Sequence, residues 1–179
     1  MYLTHTFHPG DRITLTLPMH TSVSYWPSEW PTVAVGVEHG PLVYALPVQE
    51  HWTPVVTPRW STEAFPEWEA RPASEWNYGV AVEGILLPSQ ARVDRKPMTP
   101  DPWEDPPVNL TIPMKPVPGW QLRSDTETPS IKLTPQIPRI DNETIATIGR
   151  LPLQHIALVP YGATHLRVTI FPQVVAESG

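Results

Sequence analysis

Alternation with a period of two dominates the chain. In "DRITLTLPM" the apolar Ile13, Leu15 and Leu17 fall on one side and Arg12, Thr14 and Thr16 on the other, which predicts a half-buried strand preceded by the turn residues His8 to Asp11. "TVAVGVEH" places Val33, Val35 and Val37 on one face, and "PLVYALP" is a second apolar run. Gly40 and Pro41 between them end one strand and begin the next, with Pro41 at a first strand position that tolerates its missing N–H.

Further along, "NYGVAVEGILL" reads as a strand, and "VNLTIPMKPV" and "WQLR" as shorter ones. "HIALVPYGATHLRVTIFP" carries two alternating runs around Tyr161 and Gly162. This predicts a hairpin-like reversal there, with Gly162 at positive φ and Arg167 on the exposed face, paired to a carboxylate. Between these segments, 49–74, 92–107 and 128–141 show no sustained period and are expected to be long ordered connections. No internal repeat, heptad or amphipathic helix beyond about two turns emerges. The pattern predicts an all-β sandwich, jelly-roll-like, with long Pro- and Trp-rich loops, as one domain over 1–179.

Composition changes this picture in one respect. Proline supplies 25 of 179 residues, which leaves little room for helices, while a 40% hydrophobic content and 8 tryptophans argue for a folded domain rather than a disordered one. A net charge of -6 without a basic run argues against nucleic acid as a partner, and no apolar stretch approaches the roughly 18 residues of a membrane helix. The absence of cysteine removes disulfides, thiolate metal sites and cysteine nucleophiles.

Candidate chemistry is sparse. Glu63, Glu67, Glu69, Glu75, Asp101, Glu104 and Asp105 are the carboxylates a sugar hydrolase would need in pairs, but all lie in expected loops, where acidic residues are ordinarily solvated. The seven histidines are scattered, with only His5 and His8 close together, and no GxSxG elbow occurs. No catalytic residue, metal site or cofactor is therefore expected.

Aromatic residues are the stronger candidates. Trp26, Trp30, Trp52, Trp60, Trp68, Trp76, Trp103 and Trp120, with Tyr78 and Tyr161, offer either sugar-stacking platforms or indoles that staple proline-rich loops onto the sheet. Trp68, Trp76, Asn77 and Tyr78 form the candidate carbohydrate-binding set. Trp76 and Tyr78 would share a strand face, with Asn77 opposite, bonding a loop backbone or a sugar hydroxyl. Asn109 and Asn142 head two glycosylation sequons.

Five blocks in order, "PGDRITLTLPM", "EHGPLVYALPV", "ARPASEWNYGV", "DPWEDPPVNLTIPMKPVPGW" and "IALVPYGATHLRVTIFP", resemble the C-terminal part of glycoside hydrolase family 127, the β-L-arabinofuranosidases and their relatives. The resemblance covers roughly Phe7 to Pro172. It implies a β-sandwich that accompanies an N-terminal (α/α)6 barrel, where a zinc, glutamate and cysteine cluster does the chemistry. With no cysteine, this chain carries none of that cluster. The resemblance further implies that the first sandwich strands are missing or that the sandwich is a reduced one. It points to a non-catalytic accessory domain that supports the barrel, in cis or in trans, and shapes the rim of its cleft. The alternative is a free-standing carbohydrate-binding module for a plant or bacterial glycan, using exposed Trp and Tyr.

Overall fold

The computed structural model describes residues 4–26, 32–56, 59–124, 132–133 and 136–175, and Trp30 lies outside them. The expected all-β architecture is present as a curled antiparallel sheet. In chain order its strands are β1 (Thr21–Trp26), β2 (Ala34–His39), β3 (Leu42–Pro47), β6 (Tyr78–Val80), β7 (Arg92–Arg95), β8 (Val108–Pro116), β11 (Gln154–Pro160), β12 (Arg167–Val168) and β13 (Ile170–Pro172). Off the main sheet stand two ribbons, β4 (Glu50–Val55) with β5 (Glu67–Pro72), and β9 (Arg123–Ser124) with β10 (Lys132–Leu133).

One strand joins the two layers of the sandwich. The first part of β11 pairs with β8 from Gln154 to Leu158, and its end pairs with β3 through Val159 and Pro160. The curl closes on the far side. β6 pairs with β8, Val80 bridges Gln173, and the following N–H of Val174 donates to Val80, while β13 pairs with β2. Both layers thus feed one core of Val35, Val37, Tyr44, Leu46, Val80, Leu110, Ile112, Met114, Leu158 and Phe171. Each is an alternate residue of its strand, so the two-residue period of the sequence is the inward face of the sheet.

The Gly40–Pro41 turn connects the paired His39 and Leu42. Gly40 has φ +58, and proline fixes the next φ near −65°, which is the sign pattern of a II′ hairpin turn. Pro41 thus belongs to the turn and not to the strand.

A second cluster seals one end of the sheet. Helix α2 (Asn142–Gly149) lays Ile145 and Ile148, three residues apart, against Val117, Trp120, Ile140 and Val174. Its start is set by Asp141, whose carboxylate accepts from the N–H of Thr144 at 2.9 Å and from its hydroxyl at 2.7 Å. A shorter helix, α1 (Leu87–Gln90), begins with proline in its first turn and buries Leu87.

Several sequence expectations change. Residues 11–20 form no strand, and Ile13, Leu15 and Leu17 are 61%, 72% and 74% exposed, because no strand among the described residues pairs with this segment. "NYGVAVEGILL" is a strand only through Val80, after which the chain turns into α1 and leaves Ile85 exposed. "WQLR" enters a strand only at Arg123. Within 49–74, Glu50–Val55 and Glu67–Pro72 pair as the β4–β5 ribbon, and Arg92–Arg95 pairs with β8. Prolines concealed the ribbon in the sequence, yet each of its strands has a free edge on which a missing N–H is harmless.

The reversal at Tyr161 is likewise not a hairpin, since β11 pairs with β8 and β3 while β12 pairs with β3. A 3-10 turn, Tyr161–Ala163, replaces it. Arg167 organises this turn: its guanidinium stacks 3.8 Å from the Tyr161 ring centre and donates to the carbonyls of Thr164 and His165. Arg167 is therefore spent on the turn and not on a carboxylate. Among the described residues positive φ occurs only at Gly10 and Gly40, so Gly162 serves close approach and not a left-handed turn.

Candidate functional site

The start of β4 meets the turn and its exit at residues 162–165 and the "DPWED" loop at an open cleft of about 370 Å³. Its walls include Trp52 and Trp103, with Gln49, Glu50, Glu104 and His165 as polar groups. These residues lie far apart in sequence, on a strand, a loop and a turn.

Glu50 holds the cleft together. Its carboxylate accepts from the N–H of Leu166 at 2.6 Å and from the indole N–H of Trp52 at 2.7 Å, and lies 3.7 Å from the His165 ring. The backbone donor of Leu166, the Trp52 indole and the His165 ring together outweigh burial and hold its pKa below the ordinary value of 4.5. Glu50 is thus ionised at neutral pH, and it fixes the plane of Trp52, whose ring meets His165 edge-on at 6.5 Å.

Trp103 reaches the opposite wall through a local fold of its own. The Asp101 carboxylate accepts from the N–H groups of Trp103 and Glu104 at 3.3 and 3.4 Å, and the Thr99 hydroxyl donates to the Asp101 carbonyl at 3.0 Å. Lys96 pairs with Asp105 at the loop's end. The indole then lies against Gly162, where a Cβ would come within 2.9 Å of its ring. Glycine is required there by the close approach.

The four residues singled out in the sequence are only partly brought together. Trp76 and Asn77 border a second depression of about 610 Å³ with Glu75 and Trp120. Trp76 packs edge-on against Trp120 at 5.3 Å, and the Asn77 amide donates to the Val117 carbonyl at 3.1 Å. Tyr78 is buried, and its hydroxyl donates to Glu75 at 2.7 Å, with its pKa pushed up to about 12 by burial and by that carboxylate. Trp68 stands apart on the ribbon and is exposed.

Loop stapling holds for Trp76 and Trp120, the latter donating to the Gln136 carbonyl at 2.9 Å. Trp26, Trp52, Trp60, Trp68 and Trp103 are instead exposed over about half of their surface or more. Pairing across the ribbon sets Trp52 opposite Ala70 and Pro54 opposite Trp68, so both indoles share one face, while His51, Glu67, Glu69 and Arg71 occupy the other.

Of the acidic candidates, Glu69 pairs with Arg71, Glu75 accepts from Tyr78, and Asp101 and Asp105 serve the loop. Only Glu104 reaches the cleft, beside Glu50, which the sequence reading passed over. No group of three or more metal-ligating side chains occurs among the described residues. Sequon Asn109 lies within β8, its Oδ1 buried without a hydrogen-bond partner, whereas Asn142 is exposed at the start of α2.

No protein-family model, curated protein or solved structure matches the chain.

Proposed function

We propose that this chain is a non-catalytic all-β accessory domain of a carbohydrate-active enzyme of the family 127 kind, docking on an (α/α)6 barrel in cis or in trans. The observation that carries the reading is the exposure of Ile13, Leu15 and Leu17. Three large aliphatic side chains alternate along a segment that forms no strand and are 61–74% exposed, so the period of a half-buried strand stands here without the surface that would cover it. The exposed Tyr25 and Trp26 on the edge strand β1 add to the uncovered apolar surface.

Catalysis by the chain itself finds little support. The acidic residues of the ribbon and the loops are engaged in local pairs or solvated, and the cleft carboxylate Glu50 is committed to three partners. The part played here is support and surface, with the reaction carried by the partner.

Mixing the chain with a separately produced (α/α)6 barrel encoded alongside it tests the reading. Sedimentation should give an equimolar complex, and a dye that reports exposed apolar surface should lose its signal from the chain. Two independent species with the dye signal unchanged would contradict it.

A second reading, a carbohydrate-binding module, is favoured by one observation of its own, the cleft between Trp52 and Trp103.

A further inference from the structure

We propose that the cleft lined by Trp52 and Trp103 is a binding site for a neutral saccharide, with Gln49, Glu50, Glu104 and His165 as its hydrogen-bonding groups. This site is distinct from the depression beside Trp76 and Asn77.

Its size is the first support. A volume of about 370 Å³ falls at the lower end of the roughly 300–1,000 Å³ typical of small-ligand sites. That is suited to a ligand of one or two rings entering from an open side.

The second support is the state of the two indoles. Trp52 and Trp103 are 47% and 54% exposed, yet neither is free to collapse. Trp52 is tethered through its N–H to Glu50, and Trp103 is seated on Gly162 and held by the Asp101 turn. Exposed aromatic rings held rigidly lose little entropy when a ligand stacks on them. The C–H face of a sugar ring is the complementary surface, apolar on its face and ringed with hydroxyls.

Polar groups in the same cleft match those hydroxyls. Among the described residues, the side chains of Gln49 and Glu104 form no hydrogen bond or ion pair within the protein, so a donor amide and an acceptor carboxylate line the cleft unengaged. A hydroxyl both donates and accepts and can satisfy both. An anionic sugar would meet the carboxylates of Glu50 and Glu104 and be repelled. An organic cation is the competing occupant. Glu50 already accepts from two N–H donors, however, with the His165 ring 3.7 Å away, which leaves Glu104 as the cleft carboxylate with no hydrogen bond to its side chain among the described residues.

This site does not depend on docking to a barrel. Sugar binding without docking would sustain it and remove the accessory-domain reading, and docking without sugar binding would do the reverse.

Titration of the intact chain with neutral arabino-, xylo-, manno- and cello-oligosaccharides, followed by tryptophan fluorescence and calorimetry, tests the proposal. At least one series should bind with a millimolar or tighter dissociation constant. Trp103→Ala should weaken it at least about tenfold, and Glu104→Gln should weaken it to a smaller degree. Trp60→Ala, an exposed indole outside the cleft, should leave it unchanged. The proposal is overturned by silence with every sugar at saturating millimolar concentration, by binding that survives Trp103→Ala intact, or by tetramethylammonium binding where no saccharide does.

Discussion

The guanidinium of Arg95 at the end of β7, beside β8, reaches Nε2 of the buried His39 at the end of β2 at 3.3 Å. Arginine only donates, so Nε2 must accept, and Nδ1–H is left to donate to the Thr21 hydroxyl at 3.0 Å. The imidazole is therefore neutral in the fold. Burial first, then the charges of Arg95 and His20, hold its pKa below the ordinary 6.5.

A pH dependence follows, with a definite sign. The unfolded chain binds the His39 proton more readily than the folded one, so the stabilisation is fully present above pH 6.5 and is lost as pH falls below it toward the folded value. Urea midpoints measured at about pH 7.5 and about pH 5.5 should drop on acidification, and His39→Gln should flatten the drop. Equal slopes in the two proteins would remove His39 as the cause, because the exposed histidines are common to both.

Glu50 gives a titration of the same sign at lower pH, with the charged form favoured in the fold instead of the neutral one. Its depressed pKa contributes stability above about 4.5, lost as pH falls through the lower folded value. Glu50→Gln replaces an acceptor-only group tied to two N–H donors and should cost about 1–2 kcal/mol at neutral pH. The gap between the two proteins should close in acid, where the wild-type carboxyl is also neutral. Denaturation curves across the acid range read this directly.

Gly79 marks where the curled sheet closes. A Cβ there would lie 2.5 Å from a methyl of Val174 and 2.9 Å from the carbonyl oxygen of Pro172, and the backbone atom cannot move without opening the β6 and β13 contact. Gly79→Ala should destabilise by about 1–3 kcal/mol, seen as a lower thermal midpoint. Gly119→Ala, with nothing within 4 Å of the added carbon, is the control and should change little.

The exposed row predicts a change in surface without a change in stability. Replacing Ile13, Leu15 and Leu17 together by serine should reduce dye binding and self-association, while the unfolding free energy stays within about 0.5 kcal/mol, since these side chains bury little. A large loss of stability would mean that the row is already covered within the chain.

Strands that face the core on alternate residues were legible. Val35, Val37, Leu110, Ile112 and Met114 have the inward period in the sequence and the burial in the structure. The same period misled at Ile13, Leu15 and Leu17, because alternation records a strand's need for a covering surface and not whether this chain supplies one. The β4–β5 ribbon was hidden by Pro54 and Pro72, and α2 by its brevity, although Asp141 followed by Thr144 is a capping signal.

The cleft was legible only in fragments. Trp52, Trp103 and Gly162 were each conspicuous and His165 was one of seven scattered histidines, but Glu50 reaches this wall by bonding Leu166 across 116 positions, and no local pattern announces such a contact. Trp76 and Tyr78 drew attention by composition and are instead occupied with Trp120 and Glu75.

Docking through the apolar row is the central claim, and amide hydrogen exchange tests it most directly. With an equimolar (α/α)6 barrel encoded alongside the chain, the amides of residues 12–17, which pair with no strand among the described residues, should slow markedly while those of β8 stay as they were. Exchange at 12–17 that is the same with and without the barrel would contradict the account.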